Sequence, residues 1–174
     1  YVAAGTGSFN ILELQQAAQN GAIDPTLQRV LFPLVLIGFG ALAGLWPFHT
    51  WSPDGHVAAP TAVSMLHAGV LMKLGAFGII RVGMLLLPEG MQDWALLLFI
   101  LATVNVLYGA FSAMAQTDLK YIIGYSSVSH MGYVLMGIAT LEPIGLTGAS
   151  LQMFSHGVMT ALFFLLVGVI YDRA

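Results

Sequence analysis

The chain has 174 residues, of which 58% are hydrophobic and only 7% are charged. Soluble domains carry about 25% charged residues, so this composition excludes an ordinary soluble protein. Five Lys/Arg against eight Asp/Glu give a formal net charge of -3, which excludes a basic nucleic-acid-binding surface, and we expect no nucleic-acid partner. Without cysteine there is no disulfide framework, thiolate metal site or iron–sulfur ligation. The composition predicts an all-α, polytopic integral membrane protein.

Five apolar stretches predict membrane-spanning helices. Crossing a bilayer takes about 20 mainly apolar residues in a helix, and each stretch reaches or nearly reaches that length. The second stretch, of about 30 residues, is long enough for a strong tilt or a re-entrant beginning. The connectors between the stretches are short and contain no inserted soluble domain. The five stretches cover residues 30–48, 57–87, 94–115, 121–141 and 144–170.

The preceding segment, residues 1–29, is more polar and is predicted to be a loop outside the bilayer with at most a short interfacial helix. Asp24 is placed to cap the first spanning helix, and Thr117 or Asp118 to cap the fourth, because short polar side chains accept hydrogen bonds from the first helical amides. The sequence has no initiator Met or signal peptide before its first apolar run. We expect it to be an internal piece of a longer membrane protein.

Lys73 is the residue most indicative of function. It lies in the middle of the second apolar stretch, too far from either end for its ammonium to reach the interface easily. A charged lysine at the bilayer centre costs at least roughly 2.5–3.5 kcal/mol, so such a residue usually faces a hydrated interior or a charged partner. The sequence has no acidic residue at comparable depth, which argues against a static salt bridge within it. We predict that Lys73 is part of a proton relay.

Two histidines, His130 and His156, lie on polar stripes in the fourth and fifth stretches. Each has hydroxyl or amide side chains three or four residues away, on the same helix face. Imidazole accepts and donates protons near neutral pH, although a single membrane histidine also serves to hold two helices together. Together with Lys73, the two histidines favour a hydrated relay. Its predicted water-path lining comprises Ser126, Ser127, Gln152 and Thr160.

A further polar stripe in the third stretch has two interpretations. Asn105, Tyr108 and Ser112 recur at helical spacing on an otherwise apolar helix. These side chains are candidates to line the same water path, and hydrogen bonding between helices explains them equally well.

The segment joining the first two stretches predicts a broken helix. Glycines and prolines interrupt helical hydrogen bonding, and broken helices at membrane depth expose backbone groups that transporters use around ion sites. His49, Asp54 and His56 fall in this segment, but their spacing fits no standard zinc pattern, so we predict no metal and a role in fixing the break. The residues expected to make the break are Gly40, Gly44, Pro47 and Pro60.

Four sequence runs resemble one family of membrane proteins. PFHTWSPDGHVAAPTA, LMKLG, QTDLK and YSSVSHMG, which begin at residues 47, 71, 116 and 125, are similar to segments of the proton-translocating, antiporter-like membrane subunits of respiratory complex I. Within that family, the M-type branch of NADH–quinone oxidoreductase, called the subunit 4 type in mitochondria, is the most similar. The resemblance extends from about residue 39 to the end of the sequence.

The resemblance implies a longer protein of roughly fourteen helices, built from two inverted five-helix repeats. Residues 30–88 are then the last two helices of the first repeat, including the broken helix, and residues 89–174 are the first three helices of the second. It also implies that Lys73 is the connecting residue of the proton path and that His130 and His156 continue a central hydrophilic axis.

The function implied is that of a non-redox subunit that couples quinone reduction elsewhere in a complex I-type enzyme to proton translocation. NADH, FMN, iron–sulfur clusters and quinone are then expected in other subunits, with no cofactor in this chain. The partners implied are neighbouring antiporter-like membrane subunits and the lipid bilayer. The location implied is a bacterial plasma membrane, with the mitochondrial inner membrane as second choice.

Two positions depart from the family pattern. The family usually has a lysine seven residues before the His of the Pro-Phe-His run and a proline two residues after that lysine, but this sequence has Leu42 and Gly44 there. The departure leaves open a different pumping scheme, a substitute residue, or a misassigned residue at position 42. Alternative assignments are a subunit of a multi-subunit Na+/H+ antiporter, a subunit of a membrane-bound hydrogenase, and a spacer subunit that has lost pumping.

Overall fold

The computed structural model describes residues 5–173, and within that range every regular element is a helix. Two short helices lie outside the candidate spans: α1, Ile11–Gln19, and α3, Trp51–Ala58. Five other helical segments are long and apolar enough to cross a membrane. This result confirms the all-α fold class and the five predicted spans.

The first span is α2, Pro25–Ala43. The predicted cap is confirmed, because the Asp24 carboxylate accepts a hydrogen bond from the Leu27 amide at 3.2 Å. Pro25 occupies the first turn, where no amide donor is needed. The helix therefore begins at residue 25, before the predicted 30, and it ends at residue 43, before the predicted 48. Its start is set by the cap and the proline, whereas the predicted start followed hydrophobicity alone.

The predicted break after α2 is confirmed, and Gly44 sets its geometry. Gly44 has φ 78° and ψ 33°, a left-handed conformation that L side chains rarely adopt. Its amide donates to the carbonyls of Ala41 and Gly40, and the Leu45 amide donates to the Gly40 carbonyl at 2.8 Å. A Cβ atom at position 44 would also lie 2.7 Å from Cε of Met72. The break therefore forms without the lysine and proline usual in the family.

Two prolines complete the break. The peptide bond between Trp46 and Pro47 is cis. Ala59 is extended, with ψ 151°, as expected for a residue that precedes proline, and Pro60 immediately precedes the second span, Thr61–Met84. The predicted start of that span at residue 57 was wrong, because residues 57–58 belong to α3 and the proline separates the two helices.

The second span is not a uniform α-helix. It contains α4, Thr61–Leu66, a π-helical turn, His67–Leu71, then α5, Met72–Gly78, and a second π-helical stretch, Ile79–Met84. π-Helical turns are rare and occur frequently at functional sites. Lys73 lies in α5, between the two π-helical stretches.

Three long helices complete the described fold: α6, Pro88–Met114, α7, Leu119–Ala139, and α8, Pro143–Arg173. α6 begins at Pro88, so residues 88–93, which the sequence placed in the connector between the second and third apolar stretches, form the first turns of this helix instead. Asp118, one of the two predicted caps, accepts hydrogen bonds from the first amides of α7. The outer faces of these helices are apolar, as expected for surfaces in contact with lipid.

Glycines set the distances between the long helices. A Cβ atom at Gly132 of α7 would lie 2.9 Å from both the Ala102 carbonyl oxygen and the Val106 amide nitrogen of α6. A Cβ atom at Gly157 of α8 would lie 2.9 Å from the Gly69 carbonyl oxygen of the second span. Small residues of this kind let membrane helices approach closely. They bring polar side chains from the second span, α7 and α8 within reach of one another.

Candidate functional site

Lys73 is buried within the helix bundle, with 9% of the residue exposed. Its side chain bends back toward the N-terminal end of the span, the usual direction of long helical side chains, and Nζ donates a hydrogen bond to the Ala68 carbonyl. A second hydrogen bond joins Nζ to Nδ1 of His156 at 2.7 Å. The ion pair found within residues 5–173 is Arg29–Asp93, so the described partner of Lys73 is a histidine and not a carboxylate.

His156 on α8 connects Lys73 to His130 on α7. The two imidazole rings stack, with centroids 5.0 Å apart and planes 20° apart. Gln152, one turn before His156, donates from Nε2 to Nδ1 of His130 at 2.9 Å. Because Nδ1 of each ring accepts a hydrogen bond, the neutral imidazoles carry their hydrogen on Nε2. The structure thus brings four predicted site residues from three helices into one contiguous line.

A cavity of about 330 Å³ lies between α7 and α8 beside His156. Ser126 and Thr160 are its other polar lining residues, and the rest of the lining is apolar. The cavity extends along both helices as far as Leu119, the first residue of α7. Its size and position provide room for water between His156 and the end of α7.

Two of the predicted lining hydroxyls bond to backbone carbonyls of their own helices. Ser127 is fully buried and donates to the Ile123 carbonyl at 3.0 Å, so its hydroxyl is occupied away from the cavity. The Thr160 hydroxyl donates to the His156 carbonyl, although the residue does line the cavity. Back-bonding of this type is common for Ser and Thr in helices.

Asn105 holds the helix break and is fully buried. Its side chain bonds to the backbone of residues 44 and 46 in the break and, at 3.4 Å, to the Val128 carbonyl of α7. The sequence allowed two interpretations of this polar stripe, and for Asn105 the structure supports hydrogen bonding between helices rather than lining of a water path. Tyr108, one turn later, packs edge-on against His49 with centroids 4.8 Å apart.

The three side chains weighed as metal ligands have different partners. His49 packs against Tyr108, whereas the Asp54 carboxylate accepts a hydrogen bond from the Tyr121 hydroxyl at 3.2 Å. His56 bonds to a serine of its own helix. Among the described residues 5–173, no group of three His, Asp or Glu side chains is placed to hold a metal ion.

His67 was not identified from the sequence. It begins the first π-helical turn, and its ring is edge-on to the rings of His56 and Trp51, at centroid distances of 5.6 and 5.9 Å. A lone histidine near the start of a span gave no indication that α3 folds against it. Burial, together with the charges of His67 and Lys73, lowers the pKa of His56 to about 4, so His56 in α3 is neutral at pH 7.

Leu42 lies in the last turn of α2, at the position where the family usually has lysine. It lines a hollow together with Leu34, Val35, Gly38 and Phe39. Every residue in this lining is apolar. These surroundings suit a leucine side chain, and none of the lining residues could pair with a charged side chain at position 42.

The comparisons with known proteins agree on one family. The model of the family described as NADH:quinone oxidoreductase/Mrp antiporter, transmembrane, matches residues 1–174. The chain is 50% identical over 147 residues to NAD(P)H-quinone oxidoreductase chain 4 3 of Picosynechococcus sp., covering 84% of this chain and 27% of the relative. It is 43% identical over 164 residues to NADH-quinone oxidoreductase subunit M of Rickettsia prowazekii, covering 94% and 32%.

A solved structure shows the same fold. A chain of respiratory complex I from Thermus thermophilus with bound NADH matches with a TM-score of 0.90 and 30% identity, over 99% of this chain and 36% of that chain. The chain thus spans about a third of the length of the proteins it matches, or less. These findings confirm the resemblance carried by the four sequence runs. The protein is an integral membrane protein that belongs to the family of transmembrane subunits shared by NADH:quinone oxidoreductases and Mrp antiporters.

Proposed function

We propose that this chain is part of an M-type, antiporter-like subunit of a complex I-type NADH–quinone oxidoreductase and that it transfers protons while quinone is reduced elsewhere in the complex. The observation that carries the proposal is the line of Lys73, His156 and His130 in the interior of the bundle. The similarity to NADH-quinone oxidoreductase subunit M of Rickettsia prowazekii supports the M-type assignment.

The chemistry of this line suits proton transfer. The Lys73 ammonium already donates a hydrogen bond to Nδ1 of His156, so transfer of its proton crosses one short hydrogen bond. Imidazole accepts on one nitrogen and donates from the other, which allows His156 to pass the proton on. His130, whose ring stacks on that of His156, is the next titratable group in the line, and Gln152 fixes its orientation.

The proposal extends to the larger protein. With the helix bounds of the structure, residues 5–24 form a segment outside the bilayer, residues 25–87 are the last two helices of one inverted repeat, and residues 88–173 are the first three helices of the next. NADH, FMN, iron–sulfur clusters and quinone bind to other subunits, and this chain is a non-redox component. Its partners are neighbouring antiporter-like subunits in a bacterial plasma membrane.

Replacing Lys73 in the full-length subunit of the assembled complex tests the proposal. We expect Lys73→Ala to leave assembly near normal and to lower NADH-driven proton pumping in membrane vesicles at least tenfold, as a pH-sensitive dye reports. Lys73→Arg should not restore pumping, because guanidinium does not release its proton at accessible pH. Lys120→Ala is the matched control, since Lys120 lies at the start of α7 and contacts the Ala59 carbonyl. Full pumping by a stably assembled Lys73→Ala complex would refute the relay.

A second candidate is a subunit of a multi-subunit Na+/H+ antiporter, which the shared family description supports. The two functions differ in their partners and in their need for an electron donor. Proteins that co-purify with the subunit identify the complex, and Na+/H+ exchange by vesicles without NADH identifies an antiporter. Exchange in the absence of an electron donor would favour this second candidate.

A further inference from the structure

The turn of the second span that comes just before Lys73 is wider than an α-helical turn. In an α-helix the Met72 amide would donate to the carbonyl four residues earlier, which is that of Ala68. At the end of the π-helical turn it donates instead to the carbonyl of His67, five residues earlier. The Ala68 carbonyl therefore loses its α-helical donor.

The side chain of Lys73 supplies a donor to this carbonyl. Ala68 is fully buried, so its carbonyl oxygen needs a partner inside the protein. Nζ of Lys73 donates to that oxygen and is also joined to Nδ1 of His156 at 2.7 Å. The ammonium is thus held at two points, one on its own helix and one on α8.

A groove of about 640 Å³ between the second span and α8 provides the other space in which the ammonium could lie, since Lys73 is part of its lining. Among the residues that the structure describes, the other lining side chains are apolar except Ser150. The Ser150 hydroxyl is already engaged, because it donates to the Leu146 carbonyl. A lysine side chain is flexible and takes many orientations when nothing holds its end. The Ala68 carbonyl therefore helps to keep the ammonium on the side of His156.

Close packing places α8 directly against this turn. A Cβ atom at Gly157 would lie 3.9 Å from Cε of Lys73 and 2.9 Å from the Gly69 carbonyl oxygen. Because glycine has no side chain, the backbone of α8 lies along the lysine stem and brings His156 next to the turn. A change in the length of the turn would therefore act on the contact between Lys73 and His156.

We propose that the π-helical turn His67–Leu71 is a positioning element for Lys73, which presents the Ala68 carbonyl to Nζ and so directs the ammonium to Nδ1 of His156. Ala68 is then a positioning residue that acts through its backbone. The inference rests on the proposed function of Lys73 and deepens it. It makes proton transfer depend on the number of residues in the turn and not on the side chain at each position.

Deletion of Val70 in the full-length subunit of the assembled complex tests the inference. Val70 is half-exposed, and its removal leaves Ala68 and Lys73 in the chain. The amide of Lys73 then comes four residues after the Ala68 carbonyl, which is the α-helical spacing, so this carbonyl bonds to a backbone amide instead of Nζ. We expect at least fivefold fewer protons pumped per NADH oxidised, with the KM for quinone unchanged.

Two matched controls separate the length of the turn from other effects. Val70→Ala keeps the number of residues in the turn, so pumping should remain at the wild-type level. Deletion of Val82 removes one residue from the second π-helical stretch, Ile79–Met84, which makes no described hydrogen bond to the Lys73 side chain. Wild-type pumping is expected there as well.

The outcomes distinguish the positioning element from the relay. Wild-type pumping after deletion of Val70, combined with lost pumping in Lys73→Ala, would overturn the positioning element and leave the relay standing. An equal loss in Val70→Ala, or after deletion of Val82, would also overturn it, because a side-chain or helix-length effect would then explain the result. Full pumping by Lys73→Ala would overturn the proposed function itself.

A high-resolution map of the unmodified complex provides a second measurement. It decides the matter if neither the deletion of Val70 nor a deletion of Leu71 allows the complex to assemble. We expect Nζ of Lys73 within hydrogen-bond distance of the Ala68 carbonyl oxygen. An ammonium turned into the groove, away from that oxygen, would overturn the inference.

Discussion

The backbone amide of Trp46 donates a hydrogen bond to Oδ1 of Asn105 at 2.6 Å. Nδ2 of the same asparagine donates to the Gly44 carbonyl at 2.9 Å. One fully buried side chain of α6 therefore satisfies a donor and an acceptor that the end of α2 leaves free. Where the family usually has lysine and proline, this chain holds its break by a glycine conformation and a hydrogen-bonded neighbour.

Asn105→Leu should destabilise the subunit. Leucine has a similar size but leaves the Trp46 amide and the Gly44 carbonyl without partners, at about 1–3 kcal/mol for each buried group. We expect a lower thermal unfolding temperature of the purified complex and less assembled complex in membranes. Thr103→Val is the control, because the Thr103 hydroxyl bonds only within its own helix, to Phe99. Equal stability of the two variants would show that Asn105 does not hold the break.

Gly132→Ala should separate α7 from α6. The added methyl group would lie 2.8 Å from Cγ2 of Val106 and 2.9 Å from backbone atoms of α6, so the helices must move apart. Overpacking of this kind costs about 1–3 kcal/mol. Gly148→Ala on α8 is the control, since its Cβ atom meets nothing within 4 Å. Thermal unfolding of both variants measures the difference, and indistinguishable unfolding temperatures would contradict the close packing.

Gln152→Leu should slow proton transfer more than it affects assembly. The substitution removes the donor to Nδ1 of His130 and so frees the ring to change tautomer and orientation. Loss of one hydrogen bond worth about 1.4 kcal/mol corresponds to roughly a tenfold change in rate. Proton pumping relative to Gln116→Leu is the measurement, because Gln116 bonds to the Ser112 carbonyl near the end of α6. Unchanged pumping would mean that Gln152 does not position His130.

Leu42→Lys should lower the amount of assembled complex. Its surroundings are apolar, so an unpaired lysine there would cost about 2.5–3.5 kcal/mol. Leu42→Met should be neutral. Normal assembly of Leu42→Lys would contradict this prediction and would indicate that the full-length subunit places a carboxylate near position 42.

The sequence alone was sufficient for the number of spans, the cap at Asp24 and the break at Gly44, and it narrowed the cap of the fourth span to Thr117 or Asp118. These features depend on local properties: the length of an apolar run, a side chain that accepts from nearby amides, and a glycine that permits a left-handed conformation. The same reasoning misplaced three helix starts: the sequence predicted residues 30, 57 and 94, whereas the helices begin at residues 25, 61 and 88. Hydrophobicity does not report where a cap or a proline begins a helix.

Tertiary structure alone decided which polar side chains meet. Lys73 and His156 are 83 positions apart, and their hydrogen bond depends on how α8 is rotated and shifted against the second span. That arrangement follows from close contacts such as Gly157 against Gly69. The role of Asn105 and the pairing of His56 with His67 have the same origin. A helix fixes which residues share its face, but only packing against its neighbours determines what that face contacts.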